Sequence, residues 1–174
     1  MTGKRTLTSL LACVMLSIVV TAVGAQSKSI NPEAAAPKGR LEGTWLAAVT
    51  FTDGFELKVL FTFMPGKTEN DGTLIDTNEF QLTPNPVCSP DQGTWARTGD
   101  RDFIATHLAF CFDAFKDFIP AGNVKVRDAI RINDRGDQFT GKQHVDVFDA
   151  GGSLIATFDA TMRATRVAAE APPQ

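Results

Sequence analysis

Glu56-Leu57-Lys58-Val59-Leu60-Phe61-Thr62-Phe63 decides the fold class. In an extended chain Leu57, Val59, Phe61 and Phe63 share one face, and Glu56, Lys58 and Thr62 share the other with Leu60. A period of two is the mark of a half-buried strand. The stretch 154–164 repeats it, with Ala156, Phe158, Ala160 and Met162 on one face and Thr157, Asp159, Thr161 and Arg163 on the other. Working outward, turn residues punctuate the chain at Asp53-Gly54, Asn70-Asp71-Gly72, Gly99-Asp100, Asn133-Asp134-Arg135-Gly136 and Gly151-Gly152. The segments between them are rich in Val, Ile, Phe, Thr and Trp, which gives eight strands at 41–51, 56–65, 72–82, 92–98, 102–112, 124–133, 137–148 and 154–167. Helical periodicity is nearly absent. The one helix candidate is a short turn in 113–121, ended by Pro120. Eight sequential strands with mostly short turns predict an all-β fold, an eight-stranded up-and-down antiparallel barrel, with a two-sheet sandwich as the alternative.

The composition fits one domain. The chain has 174 residues, 43% hydrophobic and 21% charged, which is globular rather than disordered. Thirteen Phe against no Tyr point to a dry interior. A net charge of -3 argues against a nucleic-acid footprint. Three Cys and two His almost exclude a structural zinc site of four Cys/His ligands, so neither a metal nor a cofactor is expected.

The first 25 residues read as a signal peptide. Lys4 and Arg5 form a basic start, Leu7 to Val20 is mostly apolar, and Val23-Gly24-Ala25 supplies small residues for cleavage. A membrane anchor is the alternative, but the apolar stretch is short for a span of about 20 residues. Losing Lys4 and Arg5 leaves 15 basic against 20 acidic residues, an acidic exported chain, periplasmic or secreted. Residues 26–39 read as a flexible leader, 40–167 as the barrel domain and 168–174 as a disordered tail. After cleavage no stretch is apolar enough for a membrane helix.

Up-and-down topology assigns the connections to two ends. The two longest, 82–92 and 112–123, fall at one end and suggest the mouth of a small-molecule barrel. Cys88 and Cys111, left as an even pair in the exported chain, fall at that same end and are expected to form a disulfide.

Gly43-Thr44-Trp45 opens the first strand and resembles the Gly-x-Trp signature of lipocalins and other calycins. That resemblance implies that Trp45 plugs the closed base of the barrel, covered by an Arg from the last strand, Arg163 or Arg166. The family's second signature, which contains Tyr, is absent. A second Gly-Thr-Trp stands at 93–95. With the surrounding 93–110 and 139–167, the chain resembles small exported bacterial lipocalin-like barrels. Allene oxide cyclase-like barrels are a further comparison, which by analogy implies an isomerase or cyclase.

Several residues are candidates for chemistry. Trp95 either packs the core or lines a ligand cavity. Arg97 shares its face, and inside the barrel it would need Asp76, Asp128 or a ligand carboxylate as partner. His107 shares a face with Phe103, Ala105, Ala109 and Cys111, where small neighbours leave room for a ligand or a proton-transfer step. The opposite face, with Ile104, Thr106, Leu108, Phe110 and Phe112, is more apolar, so the phase of this strand stays open. If His107 points inward, the outer face becomes a candidate homo-oligomer contact. Phe61 belongs to an inward face. Phe115 and Phe118 lie in the long loop and either cap the barrel or guard its entrance. His144 reads as solvent-facing. No Gly-x-Ser-x-Gly elbow, P-loop or His-Glu-x-x-His occurs.

The expected function is binding of a small, mostly apolar or amphipathic ligand in the lumen, with Trp95, Arg97, His107, Phe61, Phe115 and Phe118 as the ligand-binding set. The alternatives are a cofactor-free isomerase or cyclase with His107 as the acid–base candidate, and a filled barrel that acts through its surface.

Overall fold

A computed structural model of the chain describes residues 39–82, 85–170 and 172. The expected signal peptide, and all of the leader before Gly39, lie outside the described residues. Regular structure begins with β1 (Gly43–Phe51), β2 (Glu56–Pro65) and β3 (Asp71–Asn78), and a 3-10 turn, Glu79–Leu82, follows. Next come β4 (Val87–Cys88), β5 (Asp91–Arg97), β6 (Asp102–Asp113), β7 (Ile119–Ile132), β8 (Gln138–Asp149) and β9 (Leu154–Arg166). All pairings are antiparallel. The wall runs β1-β2-β3-β5-β6-β7-β8-β9, and β9 pairs with β1 to close it. The two-residue β4 pairs with β6 beyond the end of β5, so β4 and β5 are two pieces of one course broken at Ser89-Pro90. The result is a closed, eight-stranded, up-and-down antiparallel barrel.

Two boundaries differ from the sequence reading by more than two residues. The third strand stops at Asn78, where the Asn78 carboxamide accepts from the backbone N–H of Gln81 and starts the 3-10 turn. β7, the sixth strand of the sequence reading, begins at Ile119 rather than 124, so the second long connection shrinks to residues 114–118. Pro120 sits near the first residue of that strand, opposite Phe112, just past a register shift at Cys111/Phe112. A proline is tolerated there because it lacks only a peripheral donor. The expected helical turn is instead an irregular one, with Asp117 and Phe118 both at positive φ.

The closed end holds the largest buried side chains, including Trp45, Phe63, Phe103, Phe139 and Met162. Trp45 donates its indole N–H to Leu41 O at 2.8 Å, which satisfies the polar edge of a buried ring. The Arg166 guanidinium stacks 4.1 Å from the Trp45 ring centre and donates to the carbonyls of Gly136, Glu42 and Arg40. Arg163, the other candidate for this position, is exposed. Gly43 has φ 122°, and a Cβ there would lie 2.6 Å from Arg166 Nη1. The glycine before the tryptophan therefore makes room for the arginine that covers it.

The structure decides the phase of β6. Phe103, Ala105, His107, Ala109 and Cys111 are buried, while Ile104, Leu108 and Phe110 stand outward at 50%, 43% and 65% exposure. The more apolar face is the outer one. Near the mouth, Cys88 and Cys111 are direct cross-strand partners joined by a disulfide. They pack with Ala109, Ala121 and Val124 into a small separate cluster.

Candidate functional site: a buried histidine at the floor of the lumen

Above the closed base the barrel keeps a cavity of about 260 Å³, near the small end for ligand pockets. Leu57, Val59, Val124, Val126, Val145 and Val147 form its apolar wall, and Phe51, Phe55 and Phe158 its mouth. Asp76, Asn78, Asp91, His107 and Gln143 form a polar floor.

The floor follows from strand alternation. Asp76 on β3, Asp91 on β5, His107 on β6, Asp128 on β7 and Gln143 on β8 all take the inward phase, and all are buried. These strands are consecutive in the wall, so the five side chains form a belt along one side of the lumen. Gly93 makes space for the histidine. A Cβ there would lie 2.1 Å from Thr106 O and 2.6 Å from the His107 Cα and Cβ. Phe61 meets the imidazole edge-on, with ring centres 6.1 Å apart.

The imidazole is surrounded by carboxylates. Its Nε2 lies 3.0 Å from Asp128 Oδ2, and the other oxygen of Asp128 accepts from the Gln143 carboxamide at 3.1 Å. Its Nδ1 lies 2.8 Å from Asp76 Oδ2 and 3.4 Å from Asp91 Oδ2. Asp76 and Asp91 face each other across the β3–β5 pairing, where like charges repel. Burial pushes the Asp91 carboxyl up from 3.8 to about 6, the neighbouring Asp76 charge adding to the rise and His107 opposing it. Burial alone would lower the His107 value. The carboxylates of Asp128, Asp76 and Asp91 outweigh it and hold the imidazole well above its ordinary value. Such a floor can hold or transfer a proton, and it can receive a hydrogen-bond donor or a cation.

The residues singled out from sequence divide by place. His107 lines the cavity. Phe61 touches His107 from the core. Trp95 is buried in the base, where it donates to Met64 O at 3.0 Å and packs on Phe103. Arg97 shares that end, 4.6 Å from the Phe103 ring centre, with its guanidinium donating to Gly39 O and Asp100 O. Neither Trp95 nor Arg97 lines the cavity. Phe115 and Phe118 are exposed on the 114–118 turn, away from its lining. His144, on the outer face, lies 2.7 Å from Asp159 Oδ1. The sequence reading named Asp76 and Asp128 only as partners for Arg97, and it missed Asp91 and Gln143. The available signal was an acid in an otherwise apolar phase, as in Val126-x-Asp128-x-Ile130.

A scan against protein-family models finds no match, and neither does a search of curated proteins. Among solved structures, the chain is similar to EF1p2_mFAP2b bound to DFHBI, at 17% identity and a TM-score of 0.51, over 75% of this chain and all of that one. It is also similar to a redesigned β-barrel, mFAP1, bound to DFHBI, at 18% identity and a TM-score of 0.46, over 72% of this chain and 94% of the other. At such identity the first of these likenesses speaks for a shared fold, the eight-stranded antiparallel β-barrel.

Proposed function

We propose that this protein is an exported, lipocalin-like barrel that binds one small amphipathic molecule in its lumen. The observation that carries the reading is the cavity itself, apolar along the wall above a polar floor, with Asp53 beside the phenylalanines of the mouth. Burial of an alkyl or ring body against the valines contributes about 0.8 kcal/mol per methylene, less the cost of immobilising the ligand. The floor sets the orientation. Three carboxylates stand against one imidazole, so it favours a head group that donates hydrogen bonds or carries positive charge. The Arg97 guanidinium lies in the closed base, off the cavity lining and bonded to the Gly39 and Asp100 carbonyls, and does not alter that preference. A barrel of the same fold has been solved bound to DFHBI, which supports the use of such a lumen for a ligand. The export reading rests on the N-terminal sequence, with the Cys88–Cys111 disulfide as support.

The test is a calorimetric titration of chelator-treated protein with octylamine, octanol and octanoate. The reading expects one site, with octylamine bound at least about tenfold tighter than octanoate. Val126→Phe fills the cavity and should abolish both. Tighter octanoate binding would overturn the head-group assignment. Binding unaffected by Val126→Phe would overturn the lumenal site.

A further inference from the structure

The floor of the cavity has the construction of a metal site. Asp128, fixed by the Gln143 carboxamide, takes the hydrogen bond from His107 Nε2. A divalent ion displaces the proton from Nδ1 while Nε2 keeps its hydrogen on Asp128, and the freed Nδ1 lone pair then faces Asp76 and Asp91. A metal-binding histidine usually has its far nitrogen held by a carboxylate in this way. Nδ1 and Asp76 Oδ2 are both fully buried, and neither has a hydrogen-bond partner among the described residues. They lie only 2.8 Å apart, but not in the alignment of a hydrogen bond. Asp91 Oδ2 completes the group, and the three donor atoms all fall within 4.8 Å of one another. Ligands about 2.1 Å from a common ion stand about 3.0–3.4 Å from each other, close to the spacings of 2.8 and 3.4 Å around Nδ1.

We propose that His107 Nδ1, Asp76 Oδ2 and Asp91 Oδ2 bind one divalent first-row transition cation, of the zinc, manganese or iron(II) class. One imidazole with two carboxylates suits such ions better than calcium or magnesium, which prefer all-oxygen sets. The charge also favours an ion. Without one, three buried carboxylates face a single imidazolium, leaving two negative charges uncompensated; a divalent ion on a neutral imidazole leaves one. Asp76, Asp91 and His107 all line the cavity, so the remaining coordination positions open onto it for water or a ligand head group. The site does not depend on an amphipathic ligand, and it is tested without one.

The full chain, stripped with chelator, is titrated with Zn²⁺ by calorimetry and with Co²⁺ by its visible absorption. The expected result is one equivalent of each, with a Co²⁺ ligand-field band. The shape-preserving Asp91→Asn should weaken binding by at least about tenfold, and His107→Ala by more than about a hundredfold. Asp128→Asn, which removes the group that holds Nε2, should weaken it about tenfold while leaving the band. His144→Gln, on the outer face, should leave it unchanged. If His107→Ala does not fold, Asp91→Asn carries the test, with far-UV circular dichroism as the check on its fold. Absence of saturable binding up to about 1 mM ion would overturn the proposal. So would unchanged affinity in folded Asp91→Asn, or loss of the site in His144→Gln. Octylamine binding that persists with no metal site would leave the ligand reading standing alone.

Discussion

Metal-free protein should lose stability as pH rises through the weakly acidic range, the reverse of ordinary acid denaturation. The perturbation is the removal of one proton from the lumen floor. The Asp91 carboxyl, pushed by burial from 3.8 to about 6, keeps its proton in the folded chain at a pH where the unfolded chain has released it. The folded state then binds more protons, so stability falls as pH increases. A shift of about two units corresponds to about 3 kcal/mol at 1.36 kcal/mol per unit, lost between about pH 4 and about pH 6.5. His107 acts in the same direction. Its value is raised in the folded state, so its contribution is complete below about pH 6.5 and fades as pH climbs through the folded value. The assay is urea unfolding of chelator-treated protein at steps from about pH 4.5 to about pH 7.5, followed by Trp45 and Trp95 fluorescence. About 2 kcal/mol of the Asp91 share falls inside this window, so with a slope of about 2 kcal/mol per molar the midpoint should drop by about 1 M. Asp91→Asn should remove most of the fall below about pH 6.5, because a neutral amide has no proton to lose. A midpoint that stays level or rises across this window would refute the reasoning, as would an equal fall in Asp91→Asn.

Three further outcomes follow from the packing. Gly93→Ala drives a methyl into the Thr106 carbonyl and the His107 backbone; it should cost about 2–3 kcal/mol, and an unchanged melting temperature would show that the close approach is unimportant. Arg166→Ala removes the cover of Trp45 and three bonds to backbone carbonyls, so it should cost about 2–4 kcal/mol, against less than about 0.5 kcal/mol for the exposed Arg163→Ala; equal costs would refute the assignment. Reduction of the Cys88–Cys111 bond, which spans 23 residues, should lower stability by about 3 kcal/mol, and an unaltered denaturation midpoint on adding reductant would contradict that.

The barrel was legible because its signals are local and redundant. Alternation in 56–63 and 154–164 fixes extended structure and its buried face, and Gly-rich turns mark the boundaries. Gly43 and Trp45 were legible through their resemblance to the Gly-x-Trp signature, which left Arg163 and Arg166 both open as the cover; the stacking on Trp45 and the close approach to Gly43 select Arg166. The site was legible only in part. β6 is apolar on both faces, so periodicity could not say whether His107 or Leu108 faces the lumen. The deciding fact is three-dimensional: Asp76, Asp91, Asp128 and Gln143 come from four other strands and meet the ring only when the barrel closes. The early start of β7 was hidden for another reason. Pro120 usually signals an interruption, but next to a register shift it occupies a position where the ladder needs no donor.

The central claim, that a polar floor under an apolar lumen receives a ligand, is tested most directly by nuclear magnetic resonance. Methyl and imidazole signals would be followed as octylamine is added. The account predicts saturable shifts at Val59, Val126, Val145 and the His107 ring, with the outward Ile104 and Leu108 methyls unmoved. Shifts confined to the outer residues, or none at His107 while the valines respond, would contradict it.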